Sequence, residues 1–163
     1  MPSDTIKVVH GFVAAVNRQS VREIGDLLSE DHVFIDPQGR TRRGRDAMLA
    51  GWEAYFTMFP DYEIRIDTLL ADGDLVAAFG EAAGTFRTPR GLLPQNRIVM
   101  PAAWKACVKN DRVALWQVYA DWSEGIKVIE RANMDNASRE PPPTADTRAA
   151  EQPLAPPAGV AHL

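Results

Sequence analysis

The stretch VFIDPQGRTRRGRDAM, Val33 to Met48, decides how the chain is read. A short apolar run, Val33-Phe34-Ile35, ends in Asp36. Pro37 follows at once, then a basic, glycine-bearing turn, then Gly44 ahead of a helix start. This predicts a short strand over Val33 to Asp36, a turn, and a helix. Asp36 has two readings. In one it starts a turn, its carboxylate accepting from backbone N–H groups just after it. In the other it is a general base aimed into a pocket. The residues leave both open.

Upstream, Ser3-Asp4 offers an N-cap, and Ile6, Val9, Val13 and Val16 repeat at helical spacing, widened by Val8 and Phe12. SVRE, Ser20 to Glu23, is a capping box that predicts a second helix to about Leu28. Downstream, Met48, Trp52, Tyr55, Phe56 and Phe59 keep helical spacing until Pro60 stops it. The period then changes. Tyr62, Ile64, Ile66, Thr68 and Leu70 alternate with charged residues, the mark of a half-buried strand. ADGD predicts a hairpin turn, Leu75 to Arg87 a long strand, and Thr88 to Asn96 a loop. Arg97 to Lys109 and Arg112 to Asp121 predict another hairpin. DWSE, Asp121 to Glu124, predicts a cap and a short last helix to about Ala132. The order is α+β: three N-terminal helices and a short C-terminal one against one face of a strongly curved antiparallel sheet.

At 163 residues, 45% hydrophobic and 25% charged, the chain reads as one soluble domain with a real core. Residues 1–135 form that domain. Residues 136–163 lack periodicity and hold six of twelve prolines, so a flexible tail is expected there. A net charge of -4 argues against a nucleic-acid partner. The basic cluster Arg40, Arg42, Arg43 and Arg45 is read as solvated surface or salt-bridge partners. Cys107 is the only cysteine, which excludes an intrachain disulfide and a Cys-rich zinc site. No signal peptide and no run of about 18 apolar residues is present, so the expectation is a cytoplasmic protein with no membrane partner and no metal.

VVHGFVAAVNRQSVREIGDLLSEDHVFIDPQGRTRRGRDAM (from Val8), YFTMFPDY (from Tyr55) and NDRVALWQVYADW (from Asn110) together resemble the nuclear transport factor 2-like superfamily. That group includes SnoaL-like polyketide cyclases, ketosteroid isomerases and limonene-epoxide hydrolases. The resemblance covers roughly residues 4 to 132 and implies a cone, with the sheet curled around a pocket that the first helices close. It also implies a homodimer through the open sheet face, and a cofactor-independent activity.

Ketosteroid isomerases end their first strand in Asp-Pro, and that Asp is the base; Asp36-Pro37 matches it. Their oxyanion donors fall here on Phe12 and Ala103, neither of which can donate. In the epoxide hydrolases the catalytic Asp of the last strand falls here on Val118, and the middle-strand pair falls near Gly80 and Ala82. SnoaL-like cyclases place an acid near the end of the last strand, which nominates Asp121. The residues themselves also read Asp121 as a helix cap.

VAAFGEAAGTF, from Val76, puts Ala78, Gly80, Ala82 and Gly84 on one strand face, where small side chains leave volume. Met100, Trp104, Trp116 and Val118 would line that cavity, with Phe12, Trp52, Tyr55 and Phe56 as core or wall. Such a lining suits a small hydrophobic ligand. His32 is expected to face water, and Tyr119 and Glu81 to face solvent or a second copy. Two functions follow: an acid/base enzyme of SnoaL-like type with Asp36 and Asp121, or a non-catalytic binding module of the same fold.

Overall fold

The structure is a computed structural model, and it describes residues 4–139. Its helices are α1 (Asp4–Asn17), α2 (Val21–Leu27), α3 (Arg45–Met58) and α4 (Ser123–Ala137). Its strands are β1 (Leu28–Ile35), β2 (Thr41–Arg43), β3 (Glu63–Asp72), β4 (Leu75–Thr88), β5 (Gly91–Lys109) and β6 (Arg112–Ala120). The six strands form one sheet in the order β2-β1-β6-β5-β4-β3.

The alternation expected of the second half fixes the sheet's two faces. Along β5, Asn96, Ile98, Met100, Ala102, Trp104, Ala106 and Val108 are buried, while Arg97, Val99 and Pro101 between them are exposed. Val76, Ala78 and Ala82 of β4 and Trp116 and Val118 of β6 share that inner face. α1 and α3 lay their apolar stripes on it. Phe12 of α1 meets Trp116 edge-on at 4.8 Å between ring centroids, and Trp52 of α3 at 6.3 Å. Register shifts in four of the five strand pairings, those of β1 with β6, β3 with β4, β4 with β5 and β5 with β6, let the long strands curve around this core.

Four expectations are corrected. The sheet is mixed, because β1 pairs with β6 in parallel, with Phe34 opposite Trp116. β1 is longer than expected and starts at Leu28. The segment 88–96 belongs largely to strands: Thr88 pairs with Gly91 and Arg87 with Leu92. Pro94 is tolerated there because the ladder is interrupted between Arg87–Leu92 and Thr85–Arg97. α4 is not short; it runs 15 residues, to Ala137. The boundary expected after residue 135 therefore falls inside α4, and the tail beyond 139 lies outside the described residues.

Local chemistry explains the first turns. Ser20 Oγ accepts from Glu23 N at the start of α2, but the Glu23 carboxylate turns to Arg18 instead of reaching back. Asn17, at the end of α1, accepts from Ile64 N and donates to Ile64 O, both at 2.8 Å, tying α1 to β3. No helix among the described residues is long and apolar enough to cross a membrane.

Candidate functional site

Asp36 follows directly after β1, and its side chain is fully buried, as Phe34 and His32, two and four residues before it, are buried. Its Oδ1 accepts from Gln38 N and Arg40 N, both at 2.9 Å, and its Oδ2 accepts from Arg40 Nε at 2.7 Å. Its backbone closes the same loop, with Asp36 N donating to Arg40 O and Gly39 N donating to Asp36 O. Gly39 supplies the positive φ of 82° that this turn needs. The carboxylate thus holds the β1–β2 hairpin together through three donors.

Asp121 follows β6 on the surface. Its Oδ1 accepts from Ser123 N at 3.0 Å and Ser123 Oγ at 2.5 Å, which satisfies a free N–H at the start of α4. Those two bonds hold its carboxyl below the usual aspartate value. The described structure gives Asp36 and Asp121 no shared partner.

His32 departs from expectation: it is buried, not in water. Its Nδ1 lies 2.7 Å from Val113 O, which joins β1 to β6, and burial lowers its pKa.

The interior holds a small cavity. Its wall is Tyr55 from α3 and Phe59 just beyond it, Ala82, Ala83 and Gly84 from β4, Ile98 and Met100 from β5, and Trp122 ahead of α4. The wall carries no charged side chain. A water-sized sphere can move over about 10 Å³ of it, room for one water. Of the residues expected to line a pocket, Tyr55, Ala82 and Met100 do so. Phe12, Trp52, Phe56, Trp104, Trp116 and Val118 are packed into the core around it. Trp52 stacks on Phe56 at 5.3 Å, and Trp104 on Trp116 at 6.1 Å.

The small-residue stripe is filled by neighbours. A methyl on Gly84 would meet the Phe59 ring at 3.3 Å, and one on Gly80 would lie 1.9 Å from Arg65 O. Gly80 is therefore where β3 and β4 approach too closely for a side chain. Among the described residues no three His, Cys, Asp or Glu side chains gather as a metal-binding group.

Sequence reasoning missed Trp122, Ile98 and Ala83 as cavity wall, and it read Tyr62 only as a strand residue. The Trp122 signal was present in the YADW stretch, where the adjacent cap drew the reading to Asp121.

This geometry can be set beside known proteins. The family model described as the SnoaL-like domain matches residues 9–121. The chain belongs to the SnoaL-like domain family. Among solved structures, a candidate polyketide cyclase from Xanthomonas campestris pv. campestris superposes with a TM-score of 0.69 at 20% identity, covering 77% of this chain and 96% of that one. An LEH-like epoxide hydrolase from M. tuberculosis gives 0.66 at 18% identity, over 85% of this chain and 98% of its own. A ketosteroid isomerase-like fold from Catenulispora acidiphila, in complex with trimethylamine, gives 0.65 at 19% identity, over 78% and 92%. At these identities the likeness shows the fold alone. No curated protein matches the sequence. The SnoaL-like domain here is thus an α+β fold whose relatives differ in chemistry, so its own function rests on its own site.

Proposed function

We propose that this SnoaL-like domain holds a small, uncharged, apolar molecule on the inner face of its sheet, without acid/base chemistry. The observation that carries the reading is the division of labour in the structure. The cavity wall is uncharged, and both nominated carboxylates are engaged by their own loops. The Asp36 oxygens face two backbone N–H groups and a guanidinium of their own hairpin, and Asp36 is not part of the cavity wall. Admitting a ligand requires Phe59, Met100 and Trp122 to turn aside, and methionine is the side chain best suited to such repacking.

A second reading, the acid/base enzyme, is favoured by one observation: Asp36, directly after β1, has a fully buried side chain two residues from buried Phe34. Thermal-shift screening of hydrophobic ketones, lactones, phenols and epoxides on wild type and Asp36→Asn separates the two. The binding reading expects the same compounds to stabilise both proteins, with none consumed. Turnover by wild type alone would replace it with the enzyme.

We further propose that the outer sheet face docks a second copy of this chain. Phe79, Ala103 and Tyr119 lie in one cross-strand row on β4, β5 and β6. Phe79 is 46% exposed and Tyr119 49%. Lys105 stands one outward position to one side of the row on β5. Glu81, and Asp121 just after β6, stand to the other. A two-fold axis along the row brings Lys105 of each copy toward the two acids of the other. Sedimentation velocity should show a dimer that Phe79→Lys with Tyr119→Lys converts to monomer. A wild-type monomer at every concentration tested up to about 100 µM, well above typical homodimer dissociation constants, refutes the docking.

A further inference from the structure

We infer that Trp52, Tyr55 and Tyr62 form the polar pole of the interior site, and that the molecule held there carries an uncharged oxygen acceptor such as a ketone or lactone carbonyl. This rests on the reading of the interior as a ligand site.

Trp52 Nε1, Tyr55 Oη and Tyr62 Oη are buried and make no hydrogen bond among the described residues. Buried polar groups are almost always paired, because an unpaired one forfeits its hydration with nothing in return. Among the described residues Ser29 Oγ also lacks a partner. Asp36, His32, Asn17 and the Asp61–Thr85 pair all have partners. Trp52, Tyr55 and Tyr62 belong to one aromatic cluster. Tyr55 and Tyr62 meet edge-to-face at 5.0 Å, and Trp52 lies 6.2 Å from Tyr55 and 6.4 Å from Tyr62. Tyr55 is also part of the cavity wall. Trp104 Nε1, on the sheet side of the same core, is unpaired as well.

The chemistry of the set selects the ligand. An indole N–H can only donate, and a buried phenol donates well. Burial pushes both phenols well above the ordinary tyrosine value, so they remain protonated donors at neutral pH. With no cation in the wall, a carboxylate or phosphate would enter without a counter-charge. A neutral carbonyl on an apolar ring system offers these donors an acceptor and brings in no charge that needs a counter-charge. This pole lies on α3 and on the turn before β3. It is a different place from Phe12 and Ala103, where the resemblance puts donors and this chain has none.

The test compares cyclohexanone with methylenecyclohexane, which has the same shape but no acceptor. Binding is followed by tryptophan fluorescence in wild type, Tyr55→Phe, Tyr62→Phe and the double variant. The expected result is a ketone preference of about 10-fold in wild type that falls to near parity in the double variant, with the alkene unchanged throughout. Both single variants should keep or raise the melting temperature, since each removes a hydroxyl with no partner. Equal binding of the two compounds by wild type overturns the inference, as does a ketone preference that survives in the double variant. A clear drop in melting temperature in either single variant does so too, because it would mean the hydroxyl is paired inside the protein. If wild type binds neither compound, the interior ligand site itself fails.

Discussion

Gly80→Ala should lower the stability of the fold by about 3 kcal/mol, equivalent to a melting temperature lower by roughly 6–12 °C. The reason is local and backbone-made. Gly80 pairs with Ile66 just where β3 and β4 shift register, and the strands cross so closely that an added methyl would sit 1.9 Å from Arg65 O. A carbonyl fixed in a sheet cannot step aside as a flexible side chain does, so the cost is a displaced strand. Gly84→Ala is the matched control. Its methyl would meet the Phe59 side chain, Cδ1 at 3.3 Å and Cβ at 3.4 Å, and a side chain can give by a few tenths of an ångström. Its cost should stay below about 1.5 kcal/mol. Urea unfolding of the two variants beside wild type measures both. Equal losses would mean that the close approach of β3 and β4 is not what requires glycine at position 80.

The same pair of glycines shows what the sequence could and could not disclose. The alternation of small residues in β4 was plain, and so was the face they share. Whether that face encloses space or is filled depends on what stands opposite, and Phe59 and the Arg65 backbone come from segments far away in the chain. The alternation in β5 placed Met100 and Trp104 inward correctly, because period two is a local signal. The parallel pairing of β1 with β6 is not local. It joins residues about 80 positions apart, and neither strand's pattern encodes the direction of its neighbour. His32 departs from its local pattern for the same reason. Its own surroundings, SEDHVFI, are polar on one side, and only the distant Val113 carbonyl explains why an imidazole can be buried there. The aromatic spacing of α3 was legible, but unpaired phenols are a property of the assembled core. Nothing in the order of residues marks Tyr62 as a donor without a partner.

Asp36 is where sequence and structure meet most directly, and two variants separate its two readings. In Asp36→Ala the N–H groups of Gln38 and Arg40 lose their acceptor inside a closed turn. The expected loss is about 1–2 kcal/mol: the turn loses its acceptor, but Gln38 and Arg40 are exposed and their N–H groups can turn to water. In Asp36→Asn the amide oxygen can keep both N–H bonds at the Oδ1 position. What it gives up is the ion pair, where an amide N–H₂ would face the Arg40 guanidinium. The Arg40 side chain is 43% exposed and can swing into water, so that loss is discounted to about 1 kcal/mol or less. A stability order of wild type, then Asn, then Ala, with ligand binding unchanged in Asn, is the signature of a carboxylate kept for its hairpin. Were Asp36 also kept for proton transfer, the same stability order would hold, and both variants would stop turnover. Denaturant midpoints for the three proteins, read beside the ligand screen, decide between a turn that happens to carry an acid and an acid that happens to sit in a turn.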